Sequence, residues 1–271
     1  MATAVPTGSG SERPARATAS SAEPRWQRIF IAFVKVGTIL FGILFGTLIV
    51  GRLFFFEPFN IPSGAMQPTL LIGDYVFVSK LSYGYGKYSF PFLRSSDGGR
   101  ILGSPPQRGD VAVFALPRDP KVDFIQRIVG LPGDHIKMSD GVLSINDQPV
   151  EMTRIEDTVD PDPHLLTHTV MQFIETLPDG GPHRIYKHPG QNPLDDTAMF
   201  TVPAGHVFMM GDNRDNSLDS RIPPHEGGVG FVPFDNLIGR ADIRWFSYEK
   251  QDSWWNLPFG VRYSRLLTWV D

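Results

Sequence analysis

The chain contains no cysteine, which excludes thiolate nucleophiles, thiolate metal sites and disulfides. Any domain outside the cytoplasm must then be held by its core alone. It also lacks a basic stripe: the net charge is -4, and no long run of Lys and Arg extends past the N-terminal region, so a nucleic-acid partner is not expected. No internal repeat is visible, and no glycine-rich loop matches a phosphate cradle. His164, His168, His183 and His188 stand without the spacing of a metal site, so neither a metal nor an organic cofactor is implied. Downstream of Pro58 there is no uninterrupted apolar run of membrane-spanning length.

What is present divides the chain into three parts. Residues 1–24 are rich in Ala, Ser, Thr, Gly and Pro with almost no large apolar residue. They cannot bury enough surface to offset the entropy of ordering, and read as a disordered cytoplasmic tail. Region 25–57 contains the charge-free run Val36–Gly51, followed by Arg52 and Leu53-Phe54-Phe55-Phe56. At about 1.5 Å per residue, about 20 such residues match a hydrocarbon core of roughly 30 Å. The run leads into Phe54-Phe55-Phe56-Glu57-Pro58 and not into a small-x-small cleavage site, which favours a retained signal anchor over a removed leader. Arg13, Arg16, Arg25, Arg28 and Lys35 precede the span, so the positive-inside tendency puts the N-terminus in the cytoplasm and the remainder across the membrane.

Residues 58–271 read as one mainly β domain. Glycine (27) and proline (24) are numerous and lie between short runs of strand-forming residues, a pattern that disfavours a helical bundle. Tyr75–Val78, Val111–Phe114, Phe124–Val129, Val142–Ile145, Met199–Val202, Val207–Met210 and Ile243–Phe246 predict strands in a largely antiparallel sheet. The polar stretch from about 151 to 196 interrupts this rhythm and reads as a peripheral insertion with a β-hairpin of its own.

Four stretches carry the chemistry: Phe56-Glu57-Pro58-Phe59-Asn60-Ile61-Pro62-Ser63-Gly64-Ala65-Met66, Arg108-Gly109-Asp110-Val111-Ala112-Val113-Phe114, Asp123 to Asp134, and Gly211-Asp212-Asn213-Arg214-Asp215-Asn216-Ser217-Leu218-Asp219-Ser220-Arg221. In their order and separation they resemble the type I signal peptidases of bacteria, membrane-bound serine endopeptidases with a Ser/Lys dyad. The resemblance covers roughly residues 36–250. It implies an antiparallel β-sheet catalytic-type domain behind a transmembrane helix, residence in the bacterial inner (plasma) membrane with the main domain periplasmic, and signal peptides of secreted preproteins as partners, beside the lipid bilayer.

The resemblance also assigns residues. The family's nucleophile falls at Ala65 and its general-base lysine at Gln126. Ser63 matches an oxyanion-hole serine, and Ser217 a hydroxyl that positions the base. Asp219 and Arg221 match a supporting charged pair. Phe59, Ile61, Pro62, Met66, Leu70, Phe124 and Ile125 match the walls of shallow pockets for the small residues before the cut, with selectivity set by the cost of overfilling them. On its own Ser63 would be a turn serine, and the Asp-Asn-Arg-Asp-Asn run an ordinary polar loop.

Neither an alanine methyl nor an amide can attack or deprotonate. Burial can lower a lysine toward working pH and make it a base, but glutamine has nothing equivalent. The first expectation is therefore a signal-peptidase-type protein whose groove persists while its own cleavage is abolished or severely reduced, able to assist an active paralogue or the export machinery. The second is an active peptidase with a non-standard nucleophile, such as Ser63 served by Lys80 or Lys121, or an engineered inactive form. The third is a membrane-tethered interaction module without peptide binding.

Overall fold

A computed structural model of the chain describes residues 24–89, 99–159, 169–249 and 260–270. Apart from Pro24, the expected disordered tail lies outside them. Internal contacts divide the chain into two units, Met1–Leu48 and Ile49–Asp271.

Most of the helix α1, Arg25–Phe54, belongs to the first unit. It contains no proline, and the hydroxyls of Thr38 and Thr47 donate to the carbonyls of Val34 and Ile43 at 2.9 Å, so these polar side chains are satisfied within the helix. None of its residues is buried by protein. An apolar surface all the way round is what a lipid-facing segment needs. Its 30 residues make about 45 Å at about 1.5 Å per residue, enough to cross a bilayer. The helix stops just before Glu57-Pro58, where proline could not continue it.

In the second unit the strands are, in chain order, β1 (Phe56–Asn60), β2 (Asp74–Ser79), β3 (Val111–Leu116), β4 (Asp119–Gly130), β5 (His135–Ser139), β6 (Val142–Ile145), β7 (Gln148–Pro149), β8 (Glu151–Arg154), β9 (Thr158–Val159), β10 (Thr169–Leu177), β11 (Gly181–Lys187), β12 (Phe200–Thr201), β13 (His206–Met210), β14 (Val232–Pro233), β15 (Leu237–Ser247) and β16 (Thr268–Trp269). The principal sheet runs β1-β2-β15-β3-β4-β13-β14, with β16 on β15. All of its pairings are antiparallel. Pro58 is accommodated because β1 is an edge strand and needs no second ladder of donors. β3 is buried along its whole length, as its unbroken Val-Ala-Val-Phe-Ala-Leu run requires.

A second sheet joins β11, β10 and β8, with β9 on β10, and a third runs β12-β5-β6-β7. Within 151–196 the hairpin of β10 and β11 turns through Asp179 and Gly181, both at positive φ. The strand expected at Met199–Val202 narrows to Phe200–Thr201, since Pro203 has no N–H to donate. Ile61, Met66 and Leu70 pack with Val76, Val78, Val111 and Val113 in one of the apolar clusters of the core, so the first motif is anchored from below.

Candidate functional site

The segment between β1 and β2 folds back on itself. Ile61 N–H donates to Asp74 O at 2.9 Å and Gly73 N–H to Ile61 O at 3.0 Å. Gly73 has φ +87, and a Cβ there would sit 2.0 Å from Tyr248 O, so only glycine fits this turn. The crest of the loop, Pro62-Ser63-Gly64-Ala65, is clamped by Asn213: its N–H donates to Ala65 O at 3.0 Å and its Nδ2 to Gly64 O at 3.2 Å. Ala65 is thus held through its main chain.

Gln126, on β4, is 1% exposed. Its Nε2 donates to Ser217 Oγ at 3.2 Å and to Leu218 O at 2.9 Å. A carbonyl can only accept, so the amide must enter nitrogen first. Its Oε1 is then buried with no hydrogen-bond partner. A buried unpaired acceptor costs about 1–3 kcal/mol. The polar atoms facing this position therefore suit a side chain that only donates, such as an ammonium group, better than they suit an amide.

Ala65 and Gln126 line the same cavity, about 500 Å³ in volume, together with Ser63, Phe124, Ile125 and Leu218. A second cavity of about 330 Å³ lies over Phe59, Ile61 and Val113, and the two share Pro62, Asp123, Phe124 and Ile125 as walls. Phe59, Phe124 and Ile125 are half-buried, Ile61 is buried, and Pro62 and Ser63 are exposed. Met66 and Leu70, expected on pocket walls, line neither cavity; at 1% and 0% exposure they belong to the core beneath. Asp123 is the one ionisable side chain among the described residues lining the first cavity.

Three buried ion pairs back this surface. Arg127, next to Gln126, binds Asp212 through two hydrogen bonds of 2.8 and 2.7 Å and also donates to Gly109 O at 2.8 Å. Arg221 grips Asp219 through two bonds of 2.8 Å and donates to Arg214 O. Arg214 in turn forms a two-point pair with Glu175 of β10. Burial pushes both Glu175 and Asp212 upward, but the guanidinium groups outweigh it: Arg214 holds Glu175 at about 2 and Arg127 holds Asp212 below the usual carboxylate range. Glu175 and Asp212 are therefore ionised at neutral pH.

Other residues matter that sequence reasoning did not single out. A Cβ on Gly211 would lie 2.3 Å from Ser217 Oγ and 2.5 Å from Ala65 O, so this glycine lets the two loops touch. Leu218 acts through its backbone carbonyl, and Asn213 through its backbone N–H as well as its side-chain amide; main-chain contacts give no signal in a residue pattern. Of the cations considered as substitute bases, Lys80 is 2% exposed, yet its Nζ is held by Glu57 Oε2 at 2.9 Å and Ser89 O at 2.8 Å. Lys121 is exposed, and neither lysine lines the cavity.

Comparison with known proteins points to one family. Residues 31–246 match the family model described as signal peptidase, peptidase S26. The chain is similar to signal peptidase I of Rickettsia typhi, 38% identical over 233 residues, covering 82% of this chain and 84% of that protein. It is likewise similar to signal peptidase I of Rickettsia conorii, 38% identical over 245 residues and 87% of each chain. A solved signal peptidase I from Enterococcus faecalis is 25% identical and covers 51% of this chain and 97% of that one, with a TM-score of 0.29, too low to bear on the fold.

Proposed function

We propose, from the premise that this chain belongs to the signal peptidase family, peptidase S26, that it holds signal peptides of exported preproteins at small-x-small sites without cleaving them at a useful rate. Ala65 occupies the nucleophile position and Gln126 the general-base position. Ser63 and the backbone of residue 65 keep the oxyanion-binding arrangement, Ser217 keeps the hydroxyl that would orient a base, and Asp219 with Arg221 supports the loop. Phe59, Ile61, Pro62, Phe124 and Ile125 form the pockets for two small side chains. Met66 and Leu70 act from beneath, by packing.

The observation that carries this reading is that Ala65 and Gln126 meet at one cavity whose polar atoms offer Gln126 acceptors and leave its carbonyl unpaired. An exposed carboxylate such as Asp123 is a far weaker base than a neutral amine, and Lys80 is occupied elsewhere. Oxyanion donors and positioning without nucleophile and base leave only a small residual rate. The helix anchors the domain in the bacterial inner membrane with the N-terminus cytoplasmic, and the bound peptide is presented to an active paralogue or to the export machinery.

The test is direct. Purified chain in detergent is incubated with a preprotein, and the product is read by N-terminal sequencing alongside binding of an uncleaved signal peptide. Retention of the peptide with no processing is expected; efficient maturation by the unaltered chain, or no retention at all, overturns the reading.

A further inference from the structure

Away from the groove, a cavity of about 410 Å³ opens between the β10–β11 hairpin, Thr69 and the segment around β16. Its lining includes three guanidinium groups, those of Arg184, Arg244 and Arg265, together with the polar side chains of Thr69 and His183. Among the described residues, no acidic side chain lines it. Arg244 and Arg265 both donate to Thr69 O, at 2.8 and 3.0 Å, which sets two guanidinium groups side by side.

Among the described residues, the surrounding charges do not cancel. Asp74, fully buried, is approached by Arg265, Arg244 and Arg262, so one carboxylate serves three guanidinium groups. Arg184 is exposed and its guanidinium makes no hydrogen bond or ion pair with another described residue, which raises the local excess among the described residues to three positive charges (four arginines less one carboxylate). The carboxylates behind His183, Glu175 and Asp212, are already matched by Arg214 and Arg127. His183 is 5% exposed; its Nδ1 has no hydrogen-bond partner, and its Nε2 stands 3.4 Å from Glu175 and 3.9 Å from Asp212.

Holding like charges together in a concave site is unfavourable unless an anion joins them, and such a site concentrates anions by focusing the field. Charge decides which anion fits. A carboxylate supplies a single negative charge, whereas a phosphate monoester carries about 1.5 to 2 at neutral pH, with oxygens that match the planar fork of arginine. Trp269, 66% exposed at the rim, adds an apolar face for the body to which the phosphate is attached.

We propose that this cavity is a binding site for a phosphate group, carried by a lipid headgroup or a soluble phosphate ester. The site is independent of peptide retention, so either can fail alone. It nonetheless touches the groove's support: the Thr69 hydroxyl donates to Asp212 Oδ2 at 2.5 Å, and Asp212 is the partner of Arg127.

Calorimetry on the full chain in detergent, titrated with inorganic phosphate and with glycerol phosphate, tests it. Binding is expected to weaken with added salt, and Arg184→Glu is expected to lower affinity by about tenfold or more without moving the melting temperature. Trp269→Ala should weaken glycerol phosphate more than inorganic phosphate. Native mass spectrometry supplies the other arm: retention of phosphatidic acid, whose headgroup is a phosphate monoester, over phosphatidylcholine, lost in Arg184→Glu, assigns a lipid source, whereas binding of the soluble phosphates alone assigns a soluble one. If none of these probes binds in a manner that depends on Arg184, with Arg184→Gln as the milder control, the proposal is wrong.

Discussion

The floor of the groove and the ionic layer behind it are held by opposite means. Ala65 is fixed by a main-chain bond from Asn213, whose side-chain amide also holds Gly64, so the fold asks little of the Ala65 side chain beyond small size. Behind it, Arg127 with Asp212, Arg221 with Asp219 and Arg214 with Glu175 are each 4% exposed or less, and removing either partner would strand a charge in the interior. Chemistry can therefore be lost at the floor with little structural consequence, while the layer beneath is kept by its own energetics. Gln126 lies on the boundary: its side chain retains two donor contacts and leaves one acceptor unmatched.

The strongest attempt to break this contrast is Ala65→Ser combined with Gln126→Lys. If only chemistry was lost at the floor, preprotein cleavage should rise by at least about 10⁴-fold over the unaltered chain. A double variant that folds and retains peptide but stays silent would show that the groove itself has drifted.

Disruption of the ionic layer comes next. Glu175→Ala leaves Arg214 buried without its partner and is expected to cost about 3–5 kcal/mol in denaturant unfolding. Acid probes the same pair. The folded-state value of Glu175, about 2, is depressed from 4.5, so the unfolded chain binds the proton first; the stabilisation is full above about 4.5 and is lost as pH falls toward about 2. In Glu175→Gln the slope of stability against pH in that window should be visibly shallower.

Gly211→Ala tests the seam between the two regions. With no room for a Cβ beside Ser217 Oγ, it should destabilise the chain by about 1–3 kcal/mol and weaken peptide retention with it. The mildest case is Ile125→Trp, which fills the wall shared by both cavities. It should lower signal-peptide affinity by about tenfold, roughly 1.4 kcal/mol, with the melting temperature nearly unchanged.

How much of this was visible in the residues alone depended on the range of the signal. The helix was legible because an uninterrupted apolar run of that length, leading into Phe54-Phe55-Phe56-Glu57-Pro58, favours a spanning helix over the alternatives. β2, β3, β4, β6, β13 and β15 were legible because strand-forming residues cluster there between turns. β1 passed unnoticed behind its proline, and its place at the sheet edge explains why that proline is tolerated. For the site, the motifs indicated that Ala65, Gln126 and Ser217 share one neighbourhood, and the structure brings them together. They could not reveal that Met66 and Leu70 sink into the core, because an apolar side chain on a loop reads the same above or below the surface. Nor could they reveal Glu175, 39 residues before Arg214 in the chain, since a partner supplied by a remote hairpin leaves no local pattern.

The backbone grip on Ala65 also has a practical reach. Its methyl group takes part in none of the bonds that place the residue, and the polypeptide has no sulfur nucleophile of its own. Ala65→Cys would install the molecule's sole sulfhydryl on the cleft floor, where an attached fluorophore or spin label could report occupancy in real time with no background from elsewhere in the sequence.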